Sequence, residues 1–160
     1  MTLLYTDIKV KGVASYRAEN PGSKLQLAVT TDPVVQDSKL DKLVQMAKPL
    51  CLQIPRNKKH VSLIMRKGKL LSIGTNAFKG HPMATKIGYR FGEQHSELNA
   101  LLKCSERDKL TLINVRFNKH GLIRMARPCP LCLSWCLGIF DNIYYTCPMG
   151  KIRKVDLTLH

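Results

Sequence analysis

The sequence is poor in acid. Only 11 of its 160 residues are Asp or Glu, against 26 Lys and Arg, which leaves a net charge of +15 and a pI near 9.8. Such a balance attracts anions: nucleotides, nucleic acid or acidic surfaces. A long apolar run is also missing. The most apolar stretch, residues 131–140, is ten residues long, half of the ~20 that cross a bilayer, so no membrane partner is expected. The opening MTLLYTDIKVKG carries no secretory pattern, and the expected location is cytoplasmic. There is no internal repeat and no low-complexity tract. Six cysteines in this setting argue against a disulfide framework and for metal, catalysis or buried thiols. With 44% hydrophobic and 23% charged residues, the composition is that of one globular domain with a real core.

The positive charge is uneven. Residues 1–50 carry seven basic and five acidic groups (+2), residues 51–94 nine and one (+8), and residues 95–160 ten and five (+5). Periodicity and turn residues set the expected order of elements. Leu3–Val10 and Leu25–Val29 read as strands around the turn Asn20-Pro21-Gly22. Asp37 or Ser38 caps a helix with Leu40, Leu43, Val44 and Ala47 on one face, and Pro49 is expected to stop it. Val61–Met65 and Leu70–Ile73 form a hairpin about Lys67-Gly68-Lys69. Residues 76–92 read as loop. A helix follows from about Gln94 to Cys104, then a strand over Leu110–Phe117 and a turn at Asn118–Gly121 leading into Leu122–Met125. A buried helix covers about Cys129–Phe140, and strands cover Ile143–Thr146 and Ile152–Leu157. Strands separated by helices imply an α/β sandwich with helices on one mixed sheet. The last two strands are joined by only a few residues, too few for a parallel crossover, so they are expected to pair antiparallel.

Two short segments carry chemistry. One is His95-Ser96-Glu97. The other is Pro128-Cys129-Pro130-Leu131-Cys132, 34 residues from His95 to Cys129. At i, i+3 in the first turn of a helix, Cys129 and Cys132 project from one face, where amide N–H groups favour thiolates. Two thiolates and an imidazole suit zinc, and three protein ligands leave a fourth position for water. Glu97, two residues past His95, points beside the metal. It can take a proton from that water and pass it to a ring nitrogen and a leaving amine. The combination is hydrolytic deamination of an amino-heterocycle, for which H-x-E…P-C-x-x-C is a general signature. The competing reading is a closed structural zinc site with Cys136, Cys104 or Cys147 as a fourth ligand, Cys136 being the best placed one turn beyond Cys132, and it leaves Glu97 unexplained. Otherwise Cys136, with Cys51, Cys104 and Cys147, is a core thiol.

These motifs resemble the zinc-dependent cytidine/deoxycytidylate deaminase superfamily, with H-S-E in place of the usual H-A-E and P-C-P-L-C matching P-C-x-x-C. The segment Ile73-Gly74-Thr75-Asn76 matches the end of that family's second strand, which makes Asn76 a ribose contact. Residues 55–157 are covered. The run from Arg116 through Arg127-Pro128-Cys129 to Tyr144-Tyr145-Thr146 is similar to small deaminase-like proteins encoded by bacteriophages, for which the location would be the host cytoplasm. The resemblance implies a cytidine-deaminase-like α/β/α sandwich, Zn2+ as cofactor, and cytosine as the base. It implies residues 51–160 as the catalytic domain and residues 1–50 as an extension with the first helix. A homo-oligomer is among the assemblies it implies. An antiparallel terminal strand pair belongs to the family's free-nucleoside enzymes, whereas Asn76 and the long 76–94 segment are similar to its nucleotide enzymes.

Other candidates border this centre. His81 could touch a phosphate or sugar, and Tyr89 could stack on a base. Tyr145 alternates with Tyr144, and either could line the pocket. Trp135, Leu133 and Ile139 read as core. Three functions follow: deamination of a free cytosine nucleotide or nucleoside such as dCMP or cytidine; editing of cytosine or adenine in single-stranded DNA or RNA; or a catalytically silent nucleic-acid-binding module.

Overall fold

In the computed structural model, residues 32–55, 59–76, 81–89 and 95–157 are described. The strands expected over Leu3–Val10 and Leu25–Val29 lie outside them. The elements are β1 (Val34–Val35), α1 (Ser38–Leu52), β2 (His60–Arg66), β3 (Lys69–Thr75), α2 (Pro82–Ile87), α3 (Ser96–Leu102), β4 (Leu110–Arg116), α4 (Pro130–Cys136), β5 (Phe140–Thr146) and β6 (Ile152–Lys154).

The six strands form one mixed sheet in the order β1-β6-β5-β4-β2-β3. Among the described residues only β4 and β5 run parallel, and α4 makes their crossover. The terminal pair β5–β6 is antiparallel, as the short connection requires. Helices cover both faces, giving the α/β/α sandwich. On one face α1 sets Leu40, Val44, Ala47 and Cys51 against Val61, Leu63, Ile113 and Val115. On the other, Leu98 and Leu101 of α3 and Leu133 and Trp135 of α4 meet Ile64, Leu112 and Ile143. Strand alternation therefore sends Ser62, Ile64, Leu112 and Asn114 to the face that bears α3 and α4.

Several boundaries differ from the sequence expectation. Asp37 caps α1 as expected, its Oδ1 accepting from the N–H of Lys39 at 2.8 Å. Pro49, however, lies inside α1. Its missing N–H orphans the carbonyl of Gln45, and Gln45 is exposed to water. The 76–92 segment is not all loop. It holds α2, with Pro82 at its first position, an imidazole cap from His81 and Gly88 at φ 112° ending it. The helix expected over Cys129–Phe140 ends at Cys136, and Phe140 opens β5. An apolar run buried on all sides has no period to mark where helix gives way to strand. β6 stops at Lys154, short of Leu157. Residues 32–50 are part of this architecture: β1 pairs with β6 at the sheet edge, and α1 covers one face.

Gly74 fixes the helix that carries half of the chemistry. A Cβ on it would lie 2.2 Å from the amide nitrogen of Ala100 and 2.4 Å from the carbonyl oxygen of Ser96. The absence of a side chain lets α3 lie directly on β3. The Ser72 hydroxyl then donates to the Ala100 carbonyl and the Asn99 amide to the Thr75 carbonyl, each at 2.8 Å.

Candidate metal and proton-transfer site

His95 is the N-cap residue of α3 and Cys129 that of α4. The two helix starts bring His95, Cys129 and Cys132 together, and their ligand atoms all lie within 4.8 Å of one another. His95 Nδ1 is 3.4 Å from Cys132 Sγ and 3.7 Å from Cys129 Sγ. Zinc bonds of about 2.3 Å to sulfur and 2.0–2.1 Å to nitrogen, at a tetrahedral angle, put those atoms about 3.6 Å apart. The donor set and its spacing therefore fit a zinc ion with one position left open.

The two thiols are not equivalent. Cys129 is pulled down to about 5, chiefly by its hydrogen bond with Cys132, with His95 adding to the effect. The backbone N–H of Cys132 also points at Cys129 Sγ, at 3.4 Å. Burial pushes Cys132 well up. Cys136, one turn further on, is fully buried and pushed up for the same reason. It is outside the cluster of three ligands, which is the arrangement of a core thiol.

Glu97 sits in the first turn of α3 and is 4% exposed. It is two residues past His95 on the same helix start, and its charge raises the proton affinity of both Cys129 and Cys132. The Ser96 hydroxyl donates to Glu97 Oε1 at 2.9 Å. Ser96 Oγ is 2.8 Å from Ser62 Oγ, and the Ser62 hydroxyl donates to Asn114 Oδ1 at 2.6 Å. All four residues are buried. These contacts run from Asn114 on β4 through Ser62 on β2 to Ser96 and Glu97 on α3, and the Ser96 hydroxyl braces the carboxyl.

The segment that delivers Cys129 is anchored at each step. An antiparallel bridge joins Phe117 and Ile123. The N–H of Arg124 donates to the Arg116 carbonyl and that of Ala126 to the Thr146 carbonyl. Arg127, two residues before Cys129, is held by Asp32: its Nε is 2.9 Å from Asp32 Oδ2, and both side chains are shut off from water.

The remaining sequence candidates divide. Tyr89 reaches the centre, its ring centroid 4.4 Å from that of His95 and its hydroxyl 2.7 Å from Cys132 Sγ. Asn76 ends β3, where its Oδ1 accepts from the N–H of His60 at 2.9 Å. His81 caps α2, Nδ1 accepting from the N–H of Met83 at 3.0 Å. Tyr145 is fully buried and its hydroxyl donates to Asp32 Oδ2 at 2.6 Å, which ties it to the Arg127 anchor. Asp32, Ser62 and Asn114 were not singled out from the sequence. Each is one polar residue in an otherwise patternless or apolar stretch, and only its distant partners reveal it.

Among the described residues no helix is long and apolar enough to cross a membrane. No family model matches the chain, and no curated protein matches it. Among solved structures it is similar to the crystal structure of the dCMP deaminase from the cyanophage S-TIM5 in apo form. The identity is 20%, the match covers 69% of this chain and 84% of that chain, and the TM-score is 0.48.

Proposed function

We propose that the protein is a zinc-dependent hydrolase that deaminates a cytosine base, giving uracil and ammonia, in a free nucleotide or nucleoside such as dCMP or cytidine. The observation that carries this reading is the joining of an open three-ligand cluster, His95, Cys129 and Cys132, to a buried and braced carboxyl, Glu97. A structural zinc site needs no such carboxyl beside it. Zinc held by these ligands would supply Lewis acidity and make a water nucleophilic near neutral pH. Glu97 would accept one proton of a water whose oxygen bonds to the amine-bearing ring carbon, and return it to the ring nitrogen. The hydroxyl proton of that adduct would then pass through the same carboxyl to the exocyclic amine, the C–N bond breaking as the uracil carbonyl forms and ammonia leaves.

Asn76, at the end of β3, is the proposed sugar contact. His81, whose Nδ1 accepts from a backbone amide, carries its hydrogen on Nε2 when neutral and can donate to a phosphate or sugar oxygen. The chemistry belongs to residues 51–160 and the location to the cytoplasm. Purified zinc-loaded protein, incubated with cytidine, deoxycytidylate, adenosine and oligonucleotides, tests the reading by ammonia release. Release from cytidine or deoxycytidylate is expected, with a loss of 10²–10⁴-fold in Glu97→Gln. Wild-type rates in Glu97→Gln would refute the mechanism. The excess of +8 over residues 51–94 favours a second reading, an editor of single-stranded nucleic acid. Its mark would be oligonucleotide binding that weakens steeply with salt.

A further inference from the structure

We infer that Tyr89 is a positioning residue for the metal centre: with Trp135 behind it, it donates a hydrogen bond to the Cys132 sulfur and packs its ring against the His95 imidazole. The inference rests on the reading of His95, Cys129 and Cys132 as metal ligands.

The direction of each hydrogen bond follows from the atoms. The indole N–H of Trp135 lies 3.0 Å from the Tyr89 oxygen, and an indole nitrogen can only donate. Tyr89 therefore accepts from Trp135. Its own single hydrogen is left for Cys132 Sγ at 2.7 Å. A cysteine bound to a metal is a thiolate with no hydrogen to offer, so the direction is the same in the loaded protein. The relay runs Trp135 to Tyr89 to Cys132.

The backbone explains why Tyr89 arrives there. Trp135 is three residues beyond Cys132 on α4, so the indole and the thiol share a helix face. On the other side, α2 closes at Gly88 in the left-handed region, and the N–H of Tyr89 returns to the Ala84 carbonyl at 3.0 Å. That closure turns the chain inward at Tyr89, which is 6% exposed. One side chain thus touches two ligands carried by two different helices. The arrangement also gives each sulfur a donor: the backbone N–H of Cys132 for Cys129, and the phenol for Cys132. Partners of this kind, outside the ligands themselves, fix ligand orientation, and their loss commonly costs 10–100-fold in metal affinity or activity.

This places Tyr89 with the metal ligands, and gives the otherwise core-like Trp135 a polar task. The test uses the full chain loaded with Zn2+ or with Co2+ as a spectroscopic stand-in. Tyr89→Phe keeps the ring and removes only the hydroxyl. Zinc affinity from chelator competition should fall about 10-fold. The thiolate-to-cobalt absorption band should move to longer wavelength, because a sulfur without its donor holds its electrons less tightly. Trp135→Phe should move the band the same way by less, since the phenol hydrogen is then less acidic. Tyr89→Phe leaves the ring packing, Trp135→Phe trims a buried ring, and circular dichroism of each variant confirms the fold. Unchanged affinity and an unchanged band in folded Tyr89→Phe overturn the inference while the metal reading stands. If the wild-type protein shows no thiolate-to-cobalt band at all, the metal reading fails and the inference with it.

Discussion

Asp32 is the residue whose removal should cost the most outside the metal cluster. Its carboxylate oxygens accept from Arg127 Nε at 2.9 Å, the Tyr145 hydroxyl at 2.6 Å and the N–H of Asp156 at 3.0 Å. Its backbone carbonyl accepts from Arg153 Nη1 at 2.6 Å. The side chains of Asp32 and Arg127 are 0% and 3% exposed. Asp32→Ala leaves the Arg127 guanidinium in the interior without this carboxylate. Removing one partner of a buried pair costs about 3–5 kcal/mol, a large share of the ~5–15 kcal/mol that holds a domain together. The loss of an acceptor for the Tyr145 hydroxyl and the Asp156 amide acts in the same direction.

Urea unfolding measures this loss, provided the m-value is unchanged between variants. The double substitution Asp32→Ala, Arg127→Met separates the cause. If the cost comes from the guanidinium losing this carboxylate, removing the guanidinium as well should restore much of it, as replacement of whole buried pairs by apolar residues does. Because Arg127 is two residues before Cys129, zinc affinity should weaken in Asp32→Ala and recover in the double variant. A loss of under about 1 kcal/mol, or a double variant no better than the single one, would refute the argument that this pair anchors the cysteine segment.

Gly74→Ala should displace α3 from β3, since its Cβ would overlap the backbone of Ala100 and Ser96. Lowered thermal stability and weakened zinc binding together are expected, and a protein unchanged in both refutes the close approach. Ser96→Ala removes the donor to Glu97 Oε1. Hydrogen bonds to charged groups contribute about 1.5–3 kcal/mol, so kcat should fall roughly tenfold or more with KM held. A fall in KM-dependent terms alone would contradict a bracing role. Cys51, buried under α1 with its thiol donating to the Val115 carbonyl, is pushed up to about 11 by burial. A raised value in the folded state means that its contribution to stability is complete below about 9 and is lost as pH rises towards 11. The stability difference between wild type and Cys51→Ala should therefore shrink across that window, and a difference independent of pH would count against it.

The grouping of His95, Cys129 and Cys132 was legible in the sequence because its parts are local. His95 and Glu97 are neighbours, as are Cys129 and Cys132, and each pair needs only one helical turn to converge. The two halves of the sandwich were legible for a similar reason, since α1 and the β2–β3 hairpin repeat at their own periods. What stayed hidden depends on partners far apart in the chain. Tyr89 meets Cys132 across 43 positions, Ser62 meets Ser96 across 34, and Asp32 meets Arg127 across 95. A single buried polar residue leaves no periodic trace. Helix α2 was hidden by its cap, because a histidine accepting from Met83 does what serine or aspartate usually signals.

The charge excess needs the same spatial reading. Of the nine basic residues between 51 and 94, Arg66 is bound to acids from outside that segment, Glu106 at 2.8 Å and Asp108 at 3.4 Å. Lys67 and Lys69 flank the hairpin turn at the far end of β2 and β3 from His60 and Asn76. Seven residues of strand at about 3.3 Å each put that turn roughly 20 Å from the end of the sheet that faces the metal cluster. The screening length at physiological salt is about 8 Å, so those charges contribute little at the site. Among the described residues, the segment's cations at the site end of the sheet are Lys59 and Lys86, on the strand entry to β2 and on α2. Of the five described cations of this segment, three are therefore either paired with acids or too far along the sheet to act at the His95, Cys129 and Cys132 cluster.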